Sequence, residues 1–498
     1  MKVSFFAVVL AFSAWAQPPG RPSVEAWVAG HQRQIVGEFN ELLAIPNVGT
    51  DRVNIRRTAE FVKGMFERHG MKAELLETAG NPLVYAERNV PGAARTILFY
   101  IHYDGQPVDV AKWKQDGGPF RPVMRDGVFE RGAKTVPDFL TRERFPDEWR
   151  IYARSASDDK APIVAICAAM DAVGAALKSN IHVVVDGEEE MGSPSLAPAI
   201  ARYRDKLRAN LLLILDGPVH ASERPTLAFG ARGIVTLDLT VYGPKFALHS
   251  GHYGNWIPNP AIRLAQLLAS MKDEQGRTII DGFYRDVPPL TAEQRRVLKS
   301  VPDDEAGLLK FFGVARPDAV GERLQEALQY PSLNVRGMKS GYVDEPRTII
   351  PPDATAAIDI RLVKETPSDK MVNLVLAHIR KQGYYVTESE PDDAMRMKYP
   401  KLARVRVGDR TEAYRTEPET REAREVTQAL ERIWGAPPVL IRTMGGTVPI
   451  APFIRELGTP AVGVPIVNFD NNQHSDNENL RMGNLWSGIV TLAATLEM

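Results

Sequence analysis

The sequence is poor in cysteine, in long apolar runs and in charge of one sign. Cys167 is the only cysteine among 498 residues. No intramolecular disulfide can form, and any metal must be held by histidine and carboxylate rather than thiolate. Cys167 lies in the apolar run 163–170, which suits a buried thiol better than a nucleophile. Beyond its first residues the chain has no stretch of the ~18 or more apolar residues that a membrane-spanning helix needs. Lys plus Arg number 61 and Asp plus Glu 62, a formal net charge of -1. That balance provides no global field for nucleic acid or an anionic membrane. Function must therefore be read from local sites.

The first residues do carry a pattern. Lys2 gives a positive start, Val3 to Phe12 is mostly apolar, and Ala14-Trp15-Ala16 offers small residues flanking a variable one. This order reads as a secretory signal peptide over 1–16 and predicts a secreted or periplasmic protein without a stable membrane anchor. After it, helical spacing over 23–44, with Ser23 as N-cap, and over 54–69 alternates with buried β-rich runs at 73–77, 83–88 and 96–102. A helix over 162–177, a strand over 180–185, a helix over 193–203 and a strand over 211–215 follow. Such alternation predicts an α/β domain with a mainly parallel central sheet flanked by helices.

The pattern changes near Gly230. Alternating strands over 233–242 and 354–363 and helices over 260–271 and 368–382 read as a small α+β unit. The polar stretch 273–330 reads as an irregular insertion. A helix over 419–434 and a strand over 460–464 then resume the first pattern. The expected organisation is a catalytic domain from 17–229 and 413–498, interrupted by a lid or dimerisation domain over 230–412.

The chemistry-bearing residues follow the buried strands. His102-Tyr103-Asp104 closes the run TILFYIH; Ser157-Asp158-Asp159-Lys160 precedes the Ala-rich helix; Asp186-Gly187-Glu188-Glu189-Glu190 follows the strand 180–185; Asp216 ends the strand 211–215; and His474 follows the strand 460–464. Each alone has a plain reading: a surface turn, an acidic helix start, a charged loop. Together, at the carboxyl ends of successive strands, they match the His and carboxylate set of a two-zinc site with room for water. Packing three glutamates between a buried strand and a helix favours a cation beside them.

At this point the chain resembles the dinuclear zinc peptidases and amidohydrolases that include carnosinase-type dipeptidases, carboxypeptidase G, aminoacylase-1 and succinyl-diaminopimelate desuccinylase. The HxD block looks like His102 and Asp104, and the (S/A)xDDKG block like 157–161, with Ala161 in place of glycine. The GxEExGS block, anchored on Gly187, Gly192 and Ser193, places the paired glutamates at Glu189 and Glu190, leaving Glu188 at the variable position. The resemblance implies His102, Asp158, Glu190, Asp216 and His474 as ligands of two Zn2+ per subunit, with Mn2+ or Co2+ as substitutes. It implies that Asp158 bridges the two ions and precedes a cis peptide bond. It also implies Glu189 as general base, with Asp104 orienting Glu189 or His102.

In the second unit, 248–251 resembles the family's LHSG segment, whose histidine, here His249, stabilises the oxyanion in the partner subunit of a homodimer. Asn334 and Arg361 match positions that bind substrate near its scissile carbonyl and its terminal carboxylate. Met444-Gly445-Gly446-Thr447 resembles the EGGS segment, which implies that Gly446 and Thr447 contact substrate. Met444 stands where a glutamate is common.

The leading expectation is a metallopeptidase that cleaves dipeptides or short peptides with a free carboxylate. Its alternatives are an N-acyl amino acid deacylase or desuccinylase, and a secreted non-catalytic binding protein.

Overall fold

The computed structural model describes residues 20–115, 117–344 and 347–498. The signal peptide expected over 1–16 lies outside the described residues.

The run TILFYIH shows how the first layer is built. Ile97, Phe99 and Ile101 point into one core, under the helices Arg21–Leu43, Lys160–Val173 and Met482–Leu496. Leu98 and Tyr100 point into another, with the helices Leu196–Arg202 and Ala451–Leu457. A strand buried on both faces needs apolar residues at every position, which is why this run shows no alternation. The Ala-rich sequence of Lys160–Val173 lets that helix pack closely while nearly every residue is buried.

Eight strands form this sheet, in the order Lys72–Leu76, Leu83–Arg88, Asn180–Asp186, Thr96–His102, Leu211–Ile214, Ala461–Gly463, Thr226–Ala228 and Val439–Ile441. Four neighbours at its centre, Asn180–Asp186 through Ala461–Gly463, are parallel. The edge strands Lys72–Leu76 and Leu83–Arg88 form an antiparallel hairpin that also meets Asn180–Asp186 antiparallel. Helices segregate to the two faces, giving the α/β class expected from the sequence.

The second sheet has five strands in the order Ser332–Lys339, Asp353–Leu362, Gly233–Tyr242, Leu402–Thr411 and Tyr385–Thr387. The helices Pro260–Ala269 and Ser368–Lys381 close its apolar face with Leu264, Leu267, Met371, Val375 and Ile379. The chain crosses between sheets twice, and the crossings pair with each other: Gly230–Ala231 lies antiparallel to Tyr414–Arg415. A Cβ on Gly230 would stand 2.5 Å from the Tyr414 carbonyl oxygen, so this approach admits only glycine.

The structure departs from the sequence reading in several places. The first helix begins at Arg21, with Gly20 as its N-cap and Pro22 in its first turn. Ser23 is not the cap; its hydroxyl donates to the Gly20 carbonyl. The stretch 273–330 is not irregular throughout but carries the helices Ala292–Ser300, Glu305–Phe312 and Leu324–Ala327. The first of these has a capping box formed by Thr291 and Gln294. Two strands of the second sheet, Ser332–Lys339 and Leu402–Thr411, were absent from the reading. The first exposes most of its side chains and the second half of its residues, so their apolar signal is diluted. A small sheet of Val123–Arg125, Arg150–Tyr152 and Asn479–Arg481 joins segments far apart in sequence.

Candidate active site

The four central parallel strands end on one side of the sheet, and each delivers part of one cluster. His102 is the last residue of Thr96–His102, and Asp216 follows Leu211–Ile214 by two residues. Glu189 and Glu190 sit in a 3-10 turn directly after Asn180–Asp186. His474 comes from the loop beyond Ala461–Gly463 and is held at φ 61°. Asp158 and Asp159 arrive from the loop before Lys160–Val173, and the peptide bond between them is cis. Carboxyl ends of parallel strands are where open α/β sheets gather functional groups.

Asp158 lies between the two histidines. Its Oδ1 is 2.9 Å from His102 Nε2 and its Oδ2 is 3.0 Å from His474 Nε2. His474 Nε2 is also 3.4 Å from Glu190 Oε2. Two adjoining groups that could hold a metal ion result: His102, Asp159 and Asp216 on one side, and Asp158, Glu190 and His474 on the other. Asp158 faces both, which is the position a bridging carboxylate takes. Asp159 was not among the ligands expected from sequence, yet it is fully buried, and its Oδ1 has no hydrogen-bond partner.

Electrostatics support cation binding. Burial pushes Glu190 up to about 7, with Asp158 adding repulsion. Burial and Asp158 push Asp216 up to about 6. Burial holds the carboxyls of Glu189 and Asp159 well above their usual range, and neighbouring carboxylates add to it. So many desolvated acids in one place are costly unless positive charge offsets them. Together with the unpartnered Asp159 oxygen and the His and carboxylate donor set, this fits two divalent cations.

Asp104 organises the cluster from below. Its Oδ1 accepts the Glu189 amide and its Oδ2 the Glu190 amide, each at 3.1 Å. Its backbone carbonyl accepts from His102 Nδ1 at 3.1 Å. Nδ1 therefore carries the proton, and Nε2 faces the cluster. Glu188 turns away: its Oε1 accepts the Asn81 amide at 2.8 Å and its Oε2 the Ser195 amide at 3.1 Å. Glu189 and Glu190, by contrast, line the cleft.

Glu478 is a residue that sequence reasoning missed. Fully buried, it accepts from Ser155 N, Ser157 N, Ser157 Oγ and Asp158 N at 2.9 Å each. It also pairs with Arg154 at 2.8 Å. Burial raises its carboxyl, but five converging donors suit the ionised form. No local pattern marks Glu478, because its partners lie about three hundred residues earlier. Gln106 was missed as well; its Nε2 donates to Glu190 Oε2 at 2.6 Å.

The cluster opens into a cleft of about 1230 Å³. Arg361, Gly446 and Thr447 line it with Glu189, Glu190 and Asp216, and Arg361 donates to Thr447 Oγ1 at 3.0 Å. Asn334 and His249 are not among the residues lining this cleft. Asn334 donates to Asp359 at 3.0 Å on the neighbouring strand. His249 is exposed, and its Nδ1 accepts the Gly251 amide at 3.0 Å.

Carboxylates and histidines paired around one shared aspartate, at the strand ends of an α/β sheet, define a dinuclear metallohydrolase. The comparisons narrow that class. The model for peptidase family M20/M25/M40 matches residues 98–498, and the chain belongs to this family of metallopeptidases. It is 25% identical over 488 residues to the Cys-Gly metallodipeptidase of Candida albicans, covering 93% of this chain and 94% of the relative. It is 25% identical over 538 residues to the Beta-Ala-His dipeptidase of Homo sapiens, covering 99% and 97%. Among solved structures, the M20 family metallo-carboxypeptidase of Sulfolobus solfataricus superposes with a TM-score of 0.75 at 29% identity, covering 93% of this chain and 98% of that one.

Proposed function

We propose that this metallopeptidase is an exported dipeptidase that cleaves the amide bond of short peptides with a free C-terminal carboxylate. The carrying observation is the Asp158 carboxylate, flanked by His102 at 2.9 Å and His474 at 3.0 Å, in a cleft that also presents Arg361 and Thr447. The names of the two relatives, each a dipeptidase, support the substrate class.

His102 and Asp216, grouped with Asp159, would hold one divalent cation, and Glu190 and His474, grouped with Asp158, the other; Asp158, 2.9 Å from His102 Nε2, would be shared between them. Zinc suits this donor set, with manganese or cobalt as substitutes. Bound cations supply Lewis acidity that lowers the pKa of water and polarises the scissile carbonyl. Glu189 takes the proton of the attacking water and delivers it to the leaving amine. The Asp104 carboxylate fixes the turn that aims Glu189. Arg361, steadied by Thr447, receives the substrate carboxylate in a charge-assisted contact.

His249 acts in the cleft of the second subunit of a homodimer. Its Nδ1 is an acceptor, so Nε2 carries the proton and is free to donate to a developing oxyanion. Asn334 is exposed as well and is assigned to the scissile carbonyl. Export is assigned to the leader 1–16, and N-terminal sequencing of the mature protein checks it.

The decisive experiment is a hydrolysis panel of dipeptides, C-terminally amidated dipeptides and N-acyl amino acids, run after exhaustive chelation and again after metal add-back. Activity is expected only after add-back, and on dipeptides with a free carboxylate. Full activity in chelator, or turnover confined to N-acyl amino acids, overturns the reading.

A further inference from the structure

One wall of the catalytic cleft comes from side chains that no step above uses. The helices Glu305–Phe312 and Leu324–Ala327 bring Leu308, Phe312 and Leu324 to the cleft, with Leu328 just beyond. Met444 extends the same apolar surface towards the metal ligands. Its Cε lies 3.7 Å from the point where a Cβ on Gly217 would stand, next to Asp216. Leu328 Cδ2 lies 3.5 Å from the corresponding point on Gly445. The apolar wall is thus continuous with the reacting centre.

Core packing does not explain this wall. The helix Glu305–Phe312, EAGLLKFF, buries none of its residues. Phe312 is 64% exposed and Leu324 40% exposed. Apolar surface held in water beside a reaction site is costly unless a ligand covers it. Beside the wall, Asp303 is already engaged: it pairs with His220 at 3.1 Å and accepts from Gln325 at 2.9 Å. The wall itself is made of Leu308, Phe312, Leu324, Leu328 and Met444.

The wall also has room to yield. Leu308, Phe312, Leu324 and Leu328 also line a second cavity, of about 340 Å³. Side chains that line two cavities lack close-packed neighbours towards each and shift at little cost.

We propose that this wall makes the enzyme selective for dipeptides that carry one large apolar side chain, such as leucine, methionine or phenylalanine. The proposal rests on the dipeptidase reading above and adds the side-chain class.

Its test is kcat/KM for metal-loaded enzyme over X-Gly and Gly-X series, where X is Gly, Ala, Leu, Met, Phe, Asp or Lys. A hydrophobic pocket discriminates by roughly 10-fold or more per well-placed group. At least that preference for Leu, Met or Phe over Gly is expected in one series, and Phe312→Ala and Met444→Glu should each shrink the ratio several-fold. The same ranking is expected in calorimetric binding of reduced-amide analogues, which needs no turnover. Dipeptide hydrolysis with flat or charge-favouring ratios overturns the proposal while leaving the dipeptidase reading intact. If no dipeptide is cleaved, the dipeptidase reading fails on its own, and the analogues still decide: equal binding of leucyl and glycyl analogues overturns the wall.

Discussion

Asp104 and Glu189 are joined by one hydrogen bond, in which the Asp104 Oδ1 accepts the Glu189 amide at 3.1 Å. The second oxygen of the same carboxylate accepts the next amide, that of Glu190. One buried side chain thus sets the turn that carries both the proposed base and a proposed ligand. Asp104→Asn keeps the shape but turns an N–H2 group towards one of these amides, placing donor against donor. Changes to such supporting groups cost roughly 10–100-fold in metal affinity or activity. A loss in that range is expected, read as kcat/KM and as metal retained after dialysis. Wild-type values for both would show that the turn holds itself.

Glu189 lines the cleft, whereas Glu188 is spent on the Asn81 and Ser195 amides. Glu189→Gln is therefore expected to lower kcat by roughly 10²–10⁴-fold, the usual contribution of a general base. Elemental analysis should still find two metals per chain. Glu188→Gln should behave differently, lowering the unfolding midpoint more than the turnover. Reversal of these two patterns would assign the base to the wrong glutamate.

Arg361 reaches Thr447 within the cleft. Arg361→Met should raise KM for dipeptides with a free carboxylate, by an amount near the ~1.5–3 kcal/mol of a hydrogen bond to a charged group. On C-terminally amidated peptides the same substitution should change KM little. Equal effects on both substrates would separate Arg361 from carboxylate recognition.

Glu478 is a buried anion with five donors around it. Glu478→Ala strands Arg154 as an unpaired buried charge, and breaking such a pair costs about 3–5 kcal/mol. Urea unfolding should show a loss of that size. Because the same carboxylate holds the Asp158 amide, metal affinity should fall with it.

His69 gives the fold a pH dependence away from the cleft. Burial opposes its charge, but hydrogen bonds to Asp171 and Glu38 outweigh burial and hold the imidazole up at about 9. A histidine whose folded value lies above its ordinary 6.5 stabilises the fold fully below that ordinary value, and the stabilisation is lost as pH rises through about 9. Thermal midpoints of wild type and His69→Asn should differ most at pH 6 and converge above pH 9. A gap that is constant with pH would remove the charge from the explanation.

The candidate cluster was legible in the sequence because its histidines and carboxylates follow buried strands. A buried strand is a short apolar run, and the first polar residue after it has to lie at the rim of the sheet. His102 and Asp216 could be placed from that rule. The glutamate register came from the family resemblance, whose motif is anchored on Gly187, Gly192 and Ser193; the structure turns Glu188 to the Asn81 and Ser195 amides while Glu189 lines the cleft. Glu478 was not legible, since its donors come from the loop before Lys160–Val173. Nor was Asp159, whose neighbour Asp158 carries the same side chain and differs only in the direction of its carboxylate. The strand Leu402–Thr411 escaped because its sequence, LARVRVGDRT, buries only its first two residues. The helix Ala292–Ser300 did carry a local signal, the Thr291 and Gln294 box, which a reading by apolar periodicity passes over.

The return of the chain to its first sheet has a consequence for biosynthesis. Synthesis supplies His102, Asp158, Glu190 and Asp216 early, then makes the whole second sheet, and only afterwards supplies His474 and Glu478. Glu478 stands 320 residues beyond the Asp158 amide that it holds. Until that late segment docks, the acidic cluster has one histidine in place of two and no anchor for its shared aspartate. The proposed centre is thereby withheld from the growing chain, and its completion waits until the whole second sheet has been made.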